Sequence, residues 1–464
     1  MTHVVVVGGG IAGMATAYSL QEDSCVHTTL VEEQQRLGGK IVTDRPDGFV
    51  IDGGPDSFLT QKPWAVELCR KIGLGPRLIG TNERQHRVYV VWKGRLHPLP
   101  DGVLLIVPTR FLPFVTSTLI SPLGKLRMGL DLAIPRRREQ TDESVAAFVR
   151  RRLGSEALDK IAEPLMGGIH VSDPQRQSLQ ASFPRFIDLE HRHGSLIRGM
   201  LSSRRRSPSS PTGKPLPTFM TLRGGMGELV ETLSERLGRT RLITGRRAVA
   251  LSSDGGGCYQ VRLDSGDLLQ ADAVVLATPA YVAAELVCGL DPDLANALRA
   301  IRYVSTATIS FGYDQIALQH PLDGFGFVVP SRENRRISGC TWTSTKYEGR
   351  APEGHRLLRC FVGGAAHEEH ALVDNDAMIQ AARDELQILM GVQSSPMLTR
   401  VFRWERAHPQ YDVGHLDRVS AMEARLAARC PGLYLTGSAY RGVGIPDCIH
   451  SAAVTAQAIR DRAR

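Results

Sequence analysis

The chain opens with Val4-Val5-Val6-Val7-Gly8-Gly9-Gly10-Ile11-Ala12-Gly13, an apolar run followed by glycines in G-x-G-x-x-G spacing. Consecutive valines read as a strand with strong β preference. Gly8 permits a tight turn, Gly10 lets backbone approach a pyrophosphate, and Gly13 allows a helix to pack closely on the strand. A helix is predicted over Ala12–Leu20 and a second strand over Thr28–Val31, ending at Glu32 and Glu33. The helix N-terminus offers N–H groups and partial positive charge to phosphate. A carboxylate about 20 residues on accepts hydrogen bonds from ribose hydroxyls. Strand, glycine turn, helix and acid-ended strand in this order predict a dinucleotide site at Gly8, Gly9, Gly10, Ile11, Ala12, Gly13, Glu32 and Glu33.

Two further glycine segments bear on which dinucleotide. Arg36-Leu37-Gly38-Gly39-Lys40 follows Glu32 closely and is similar to the second glycine motif of flavoproteins in the amine oxidase and phytoene desaturase group. Ile51-Asp52-Gly53-Gly54-Pro55-Asp56-Ser57-Phe58 reads as a non-helical loop whose backbone suits contact with a flat ring. Together they favour FAD over NAD alone. Near the C-terminus, Leu433–Gly437 reads as a strand, and Arg441-Gly442-Val443-Gly444-Ile445-Pro446-Asp447-Cys448-Ile449 runs into a helix reaching Ile459. Pro446 suits its first turn. Such a helix end sets positive dipole where a reduced flavin gathers negative charge. Gly224-Gly225-Met226-Gly227 is followed by no strand and acid, so it is not a second fingerprint for NAD(P)H, which disfavours a reductase.

With 464 residues the chain suits two or three structural units. Apolar and charged fractions of 42% and 22% are those of a globular soluble protein. The net charge of +8 fits an anionic ligand or membrane surface. Without a nucleic-acid motif and with few aromatics, no nucleic-acid partner is expected. The eight cysteines form no C-x-x-C pair, which points to reduced thiols in a cytoplasmic protein. The first strand starts too early to leave room for a signal peptide. His191 with His193, and His367 with His370, read as surface or core groups, so no metal site is expected. The apolar stretch Phe111–Gly124 is broken by Pro113 and Pro122 and falls short of the ~20 residues a spanning helix needs. Region 103–134 reads as a helical wall of a substrate pocket; the alternative is a patch over 103–138 touching a membrane, with Arg136 to Arg138 near lipid phosphates.

The predicted fold class is α/β: a discontinuous Rossmann-like FAD-binding domain with an inserted α+β substrate domain that includes a helical region. The expected division is 1–78, 218–284 and 396–464 for the FAD-binding unit, and 79–217 and 285–395 for the substrate unit. Within the latter, 100–200 reads mostly helical, with a helix over Thr141–Leu153 starting at a Thr/Asp cap. The Arg/Ser/Pro-rich stretch 202–217 reads as a mobile surface loop. Strands are expected at Arg87–Trp92, Ala248–Leu251, Tyr259–Leu263, Ala273–Ala277, Thr306–Phe311 and Leu357–Val362, and helices at Glu228–Leu237 and Asp376–Leu389.

Beyond the fingerprint, the chain carries Gly54-Pro55-Asp56-Ser57-Phe58-Leu59, Glu163-Pro164-Leu165, Gly168-Ile169, Cys340-Thr341-Trp342-Thr343, Pro409-Gln410-Tyr411-Asp412-Val413-Gly414-His415 and the Gly442–Ile449 turn. Through these, nearly its whole length resembles the bacterial water-soluble coproporphyrinogen III oxidases, formerly grouped as protoporphyrinogen oxidases. It departs from them in the arginine-rich loop near 204 and at His170, where relatives often have an aromatic. The resemblance implies an FAD oxidase of haem biosynthesis, acting on CH–CH donors. Coproporphyrinogen III would lose six electrons in three hydride transfers to flavin, with oxygen reduced to peroxide. It implies FAD contacts at Gly8 to Gly13, Glu32, Glu33, Lys40, Gly54, Pro55, Asp56, Ser57, Val249, Trp404, Ile445, Pro446 and Asp447. The substrate's propionates call for cations, and Arg95, Arg176, Arg336 and Lys346 are the candidates by region. Product hand-off to a ferrochelatase is a further implied partnership. No proton-accepting residue is identified. The alternatives are a protoporphyrinogen IX oxidase, another flavin amine oxidase or desaturase, and a flavin-bound scaffold.

Overall fold

The computed structural model describes residues 2–100, 103–104, 107–108, 111–139, 141–204, 216–254 and 257–463. Most of the expected loop 202–217, and Gly255 and Gly256 of the turn near 255, lie outside these residues.

The valine run forms the strand Thr2–Val7, central in a five-stranded parallel sheet. The order is Thr240–Thr244, Val26–Glu32, Thr2–Val7, Ala273–Leu276, Leu433–Leu435. Side chains alternate across a strand, so Val4 and Val6 enter one core while Val5 and Val7 enter another. Burial on both faces explains why the run lacks polar alternation. On one face pack the helices Ile11–Leu20 and Ile445–Ala463, through Met14, Ala17, Ile449 and Ala456. On the other lie Ala280–Val287, Pro292–Arg299 and the antiparallel strands Ala248–Ser253, Tyr259–Leu263 and Leu268–Ala271. Parallel strands need crossovers, so this sheet gathers strands from both ends and the middle of the chain.

A second sheet has seven strands in the order Leu398–Pro409, Tyr303–Asp314, His355–Gly363, Gly339–Trp342, Gly324–Val328, Arg87–Trp92, Arg95–Pro98. The helix Asn375–Met390 covers it, starting at Asp374, whose carboxylate accepts from Ala377 N at 2.9 Å. The strand Leu398–Pro409 is absent from the sequence reading. Arg400, Arg403, Glu405 and Arg406 break its apolar pattern, which an edge strand tolerates. Although the expected unit 396–464 groups it with the first sheet, it hydrogen-bonds along Tyr303–Asp314 in the second.

Region 111–204 is helical and packs around Val90, Phe148, Leu158, Ile161 and Phe186. Two short strands, Val103–Leu104 and Val107–Pro108, pair antiparallel just before it. The helix expected from Thr141 begins at Val145, because the Ser144 hydroxyl caps it by accepting from Ala147 N at 3.1 Å. At its far end Arg152 is fully buried against Asp131, donating from Nε to Oδ1 at 2.6 Å, while Ser195 Oγ donates to the other carboxylate oxygen at 2.6 Å. Among the described residues no helix is long and apolar enough to cross a membrane.

Candidate functional site

The opening turn is packed to contact everywhere except at one glycine. Gly8 has φ +107°, and a Cβ there would lie 2.8 Å from Ala277 O. A Cβ on Gly13 would collide with Gly8 O. A Cβ on Gly10, by contrast, meets no atom within 4 Å. Gly8 and Gly13 are therefore required by the protein's own packing, whereas Gly10 faces open space, which is where the fingerprint puts the pyrophosphate. Glu32 braces the turn, accepting from Gly9 N at 2.6 Å and from Gln34 N at 2.9 Å, while Glu33 is exposed. Gly38 N donates to Gly9 O at 2.8 Å, and a Cβ on Gly39 would sit 3.2 Å from the Gly10 Cα. The second glycine segment thus lies directly on the first.

Lys40 follows Gly39 directly in the chain. Its Nζ donates to Ala407 O at 2.6 Å, and among the described residues no carboxylate pairs with it. Burial lowers its pKa. An interior ammonium with one carbonyl partner is a ready counter-charge for an anionic ligand. Val249 is exposed beside a β-bulge, on the segment whose Arg246 N donates to Glu32 O at 3.1 Å.

The third glycine segment, 53–57, is clamped from the second sheet. Gly53 O accepts from Thr308 Oγ1 at 3.0 Å, Trp404 Nε1 at 2.9 Å and Arg359 at 3.2 Å. Arg359 also donates to Gly54 O at 2.5 Å. A Cβ on Gly54 would overlap Lys40 O, so this loop also rests on the second glycine segment. Pro55 and Asp56 continue the loop, and Ser57 Oγ donates to Asp56 Oδ1 at 2.7 Å. Lys346 Nζ lies 3.2 Å from Asp56 Oδ2, and Arg359 lies 4.0 Å from it. Burial alone would raise the Asp56 pKa, but Lys346, Arg359 and Ser57 outweigh it and hold the carboxyl well below the usual range. Burial likewise opposes the Lys346 ammonium, and Asp56 more than compensates, raising its pKa.

The C-terminal turn meets the same centre. A Cβ on Gly437 would lie 3.6 Å from the Ala12 Cβ. Ile445, Pro446 and Asp447 form the first turn of the last helix, with Asp447 paired to Lys62 at 2.6 Å. Tyr411 ties the two C-terminal motifs together. Its hydroxyl donates to Ser438 O at 2.8 Å and accepts from Gly442 N at 2.8 Å, while its ring stacks on His415 at 3.9 Å. His415 in turn holds Tyr440 O at 2.8 Å, and burial pushes its pKa down to about 4.

Of the four cationic candidates, Lys346 lies in this centre, paired to Asp56. Arg336 is exposed at the lip of a cavity lined also by Glu163, Val171, Ser331, His367 and His370. That cavity adjoins Gly363, about 13 Å along the strand from Arg359. Glu163 accepts there from Ser331 N at 3.1 Å, and burial raises its pKa. Arg176 is committed to Asp412 at 2.9 Å, and Arg95 is exposed on the edge strand Arg95–Pro98; neither joins the other two. Thr308, Arg359 and Lys62 were not singled out from sequence, and Tyr411 stood there only inside the motif Pro409–His415, with no role given. The one available signal was Arg359 itself, a charge interrupting the apolar run Leu357–Val362.

A family profile described as flavin containing amine oxidoreductase matches residues 11–460. The coproporphyrinogen III oxidase of Bacillus subtilis (strain 168) is 37% identical, covering 96% of this chain and 95% of its own. That of Propionibacterium freudenreichii subsp. freudenreichii is 36% identical, covering 99% of this chain and 91% of its own. A crystal structure of an Exiguobacterium sp. 255-15 protein, described as a protoporphyrinogen oxidase, superposes with TM-score 0.88 at 32% identity over 99% of both chains. The chain therefore belongs to the flavin containing amine oxidoreductases and, within them, to the group of coproporphyrinogen III and protoporphyrinogen oxidases.

Proposed function

We propose that this flavoenzyme binds FAD and oxidises coproporphyrinogen III to coproporphyrin III in haem biosynthesis, with oxygen as acceptor and peroxide as product. The observation that carries the cofactor reading is the space at Gly10, open in an otherwise close-packed turn, with Gly39 of the second glycine segment against its Cα. Gly8 to Gly13 and Lys40 would hold the pyrophosphate, Glu32 and Glu33 the ribose side, and Gly54 to Ser57 with Ile445 to Asp447 the ring. When bound, the flavin supplies the two-electron redox chemistry. The chain supplies position and charge. Arg359, Thr308 and Trp404 fix Gly53 O, so the ring-facing loop cannot drift. Tyr411 fixes Gly442 and Ser438, aiming the last helix's N-terminus and its positive dipole at the site. The Asp56–Lys346 pair keeps a charged, oriented lysine there. Arg336 stands at the cavity lip, suited to a propionate.

The names of the two bacterial relatives above favour coproporphyrinogen III over protoporphyrinogen IX. The test is anaerobic mixing of flavin-loaded protein with coproporphyrinogen III. Flavin bleaching, then coproporphyrin fluorescence above the autoxidation rate when air is admitted, is expected. A flavin that stays oxidised overturns the reading, and faster turnover of protoporphyrinogen IX transfers it to the runner-up.

Leu123, Leu126 and Leu130 are 79%, 66% and 48% exposed and fall on one helical face, and the exposed Arg136 and Arg138 follow a few residues on. This favours peripheral contact with an anionic membrane for that face, while Phe114, Leu119, Ile120 and Met128 turn inward.

A further inference from the structure

His367, Glu369 and His370 converge on one point beside the cavity, apart from every group assigned to the cofactor. We propose that they form a binding site for a divalent cation of the zinc class. The sequence reading set His367 and His370 aside because no cysteine or acid cluster stood nearby with zinc spacing; the turn brings Glu369, which lies between them in the chain, onto both rings.

The local backbone builds the convergence. A 3-10 turn over Glu368–Ala371 brings the three side chains together, with His370 N donating to His367 O at 3.1 Å. The neighbouring Glu368 is engaged elsewhere, accepting from Ser305 N at 2.7 Å, and so anchors the turn to the sheet. The two imidazoles lie nearly parallel, 5.2 Å apart with 11° between their planes. His367 Nδ1 is 3.5 Å and His370 Nε2 3.8 Å from Glu369 Oε1, and the three donor atoms lie within 4.8 Å of one another.

These spacings approach those of one shared cation. Zinc bonds of ~2.0–2.2 Å to nitrogen and oxygen put tetrahedral donors roughly 3.3–3.6 Å apart. The His367–Glu369 separation already meets that requirement. The His370 side is wider, 3.8 Å from Glu369 with all donors within 4.8 Å, so its ring must move inward on binding, and the Glu369 side chain, 69% exposed, is able to follow. Two imidazoles and one carboxylate suit zinc better than magnesium or calcium, which prefer oxygen ligands. The fourth position is left to water or to a carboxylate in the adjoining cavity. The site rests on these residues alone and does not depend on the oxidase reading.

The test is calorimetric titration of the tag-free, flavin-loaded full chain with zinc chloride alone. Saturable binding of one equivalent is expected, with magnesium chloride giving no comparable heat. His367→Ala/His370→Ala should abolish it, and Glu369→Gln should weaken it at least tenfold, each with an unchanged flavin spectrum as the sign of intact fold. His191→Ala/His193→Ala should leave it unchanged. Absence of saturable zinc binding, its survival in His367→Ala/His370→Ala, or wild-type affinity in Glu369→Gln overturns the proposal.

Discussion

Arg359→Met removes the principal clamp on the loop 53–57, proposed to face the flavin ring, and its cost can be worked from the contacts. The Arg359 side chain is 4% exposed, so solvent does not replace what it provides. Gly53 O keeps two donors, Thr308 and Trp404. Gly54 O loses its 2.5 Å charged donor, and Asp56 is left with Lys346 as its nearby cation. A hydrogen bond to a charged group contributes about 1.5–3 kcal/mol. Allowing the upper part of that range for the buried setting gives about 2–3 kcal/mol. If the loss falls on the loop's bound geometry, flavin affinity drops about 30- to 150-fold at 1.4 kcal/mol per decade. Arg359→Lys keeps the charge but not the fork and should fall between the two. The assay is reconstitution of apoprotein with FAD, followed by quenching of flavin fluorescence, beside urea melts of both apoproteins. A folded Arg359→Met protein that binds flavin within threefold of wild type refutes the clamp.

Gly10→Val should yield a folded protein that fails to retain flavin, because the new side chain fills only the ligand's space, whereas Gly13→Val should not fold at all; absorbance ratios and circular dichroism on the two purified proteins distinguish them. His415 is held neutral in the fold, with its pKa at about 4 against an ordinary 6.5. A depressed folded value means that its contribution is complete above pH 6.5 and is lost as pH falls toward 4, about 2 kcal/mol between pH 7 and pH 5. Urea melts at the two pH values should show that drop reduced in His415→Gln, and an identical drop would sink the assignment. Arg152→Met leaves the Asp131 carboxylate buried without its guanidinium and should cost about 3–5 kcal/mol in the same melts, with much of it regained when Asp131 is also replaced by leucine. Leu123→Glu/Leu126→Glu should abolish co-sedimentation with anionic vesicles while leaving turnover in solution unchanged; equal sedimentation would count against the membrane face.

The residues themselves were enough to place the strands and helices whose signals are local. Four valines, glycines at fixed offsets and an acid-ended strand name a dinucleotide turn, because their spacing alone carries the signal, although the atom that crowds Gly8, Ala277 O, comes from far along the chain. The same holds for the helix read from sequence as Asp376–Leu389, which spans Asn375–Met390 in the fold. The edge strand Leu398–Pro409 was illegible because its arginines and glutamate conceal it, and only pairing with Tyr303–Asp314 makes it a strand. The roles of the cofactor residues also divide this way. Sequence placed Trp404 near the flavin only through resemblance, and the fold gives it a bond to Gly53 O, 351 positions away. Asp56 and Lys346 stand 290 positions apart, and no periodicity links them. Arg95 and Arg176 looked equivalent to Lys346 as cations. Their separation from it, on an edge strand and in the Asp412 pair, is a matter of chain path. Local sterics and hydrogen-bonding chemistry are written in neighbouring residues; which distant charges share one low-dielectric centre is set by the packing of two sheets, and that is decided only when the whole chain has folded.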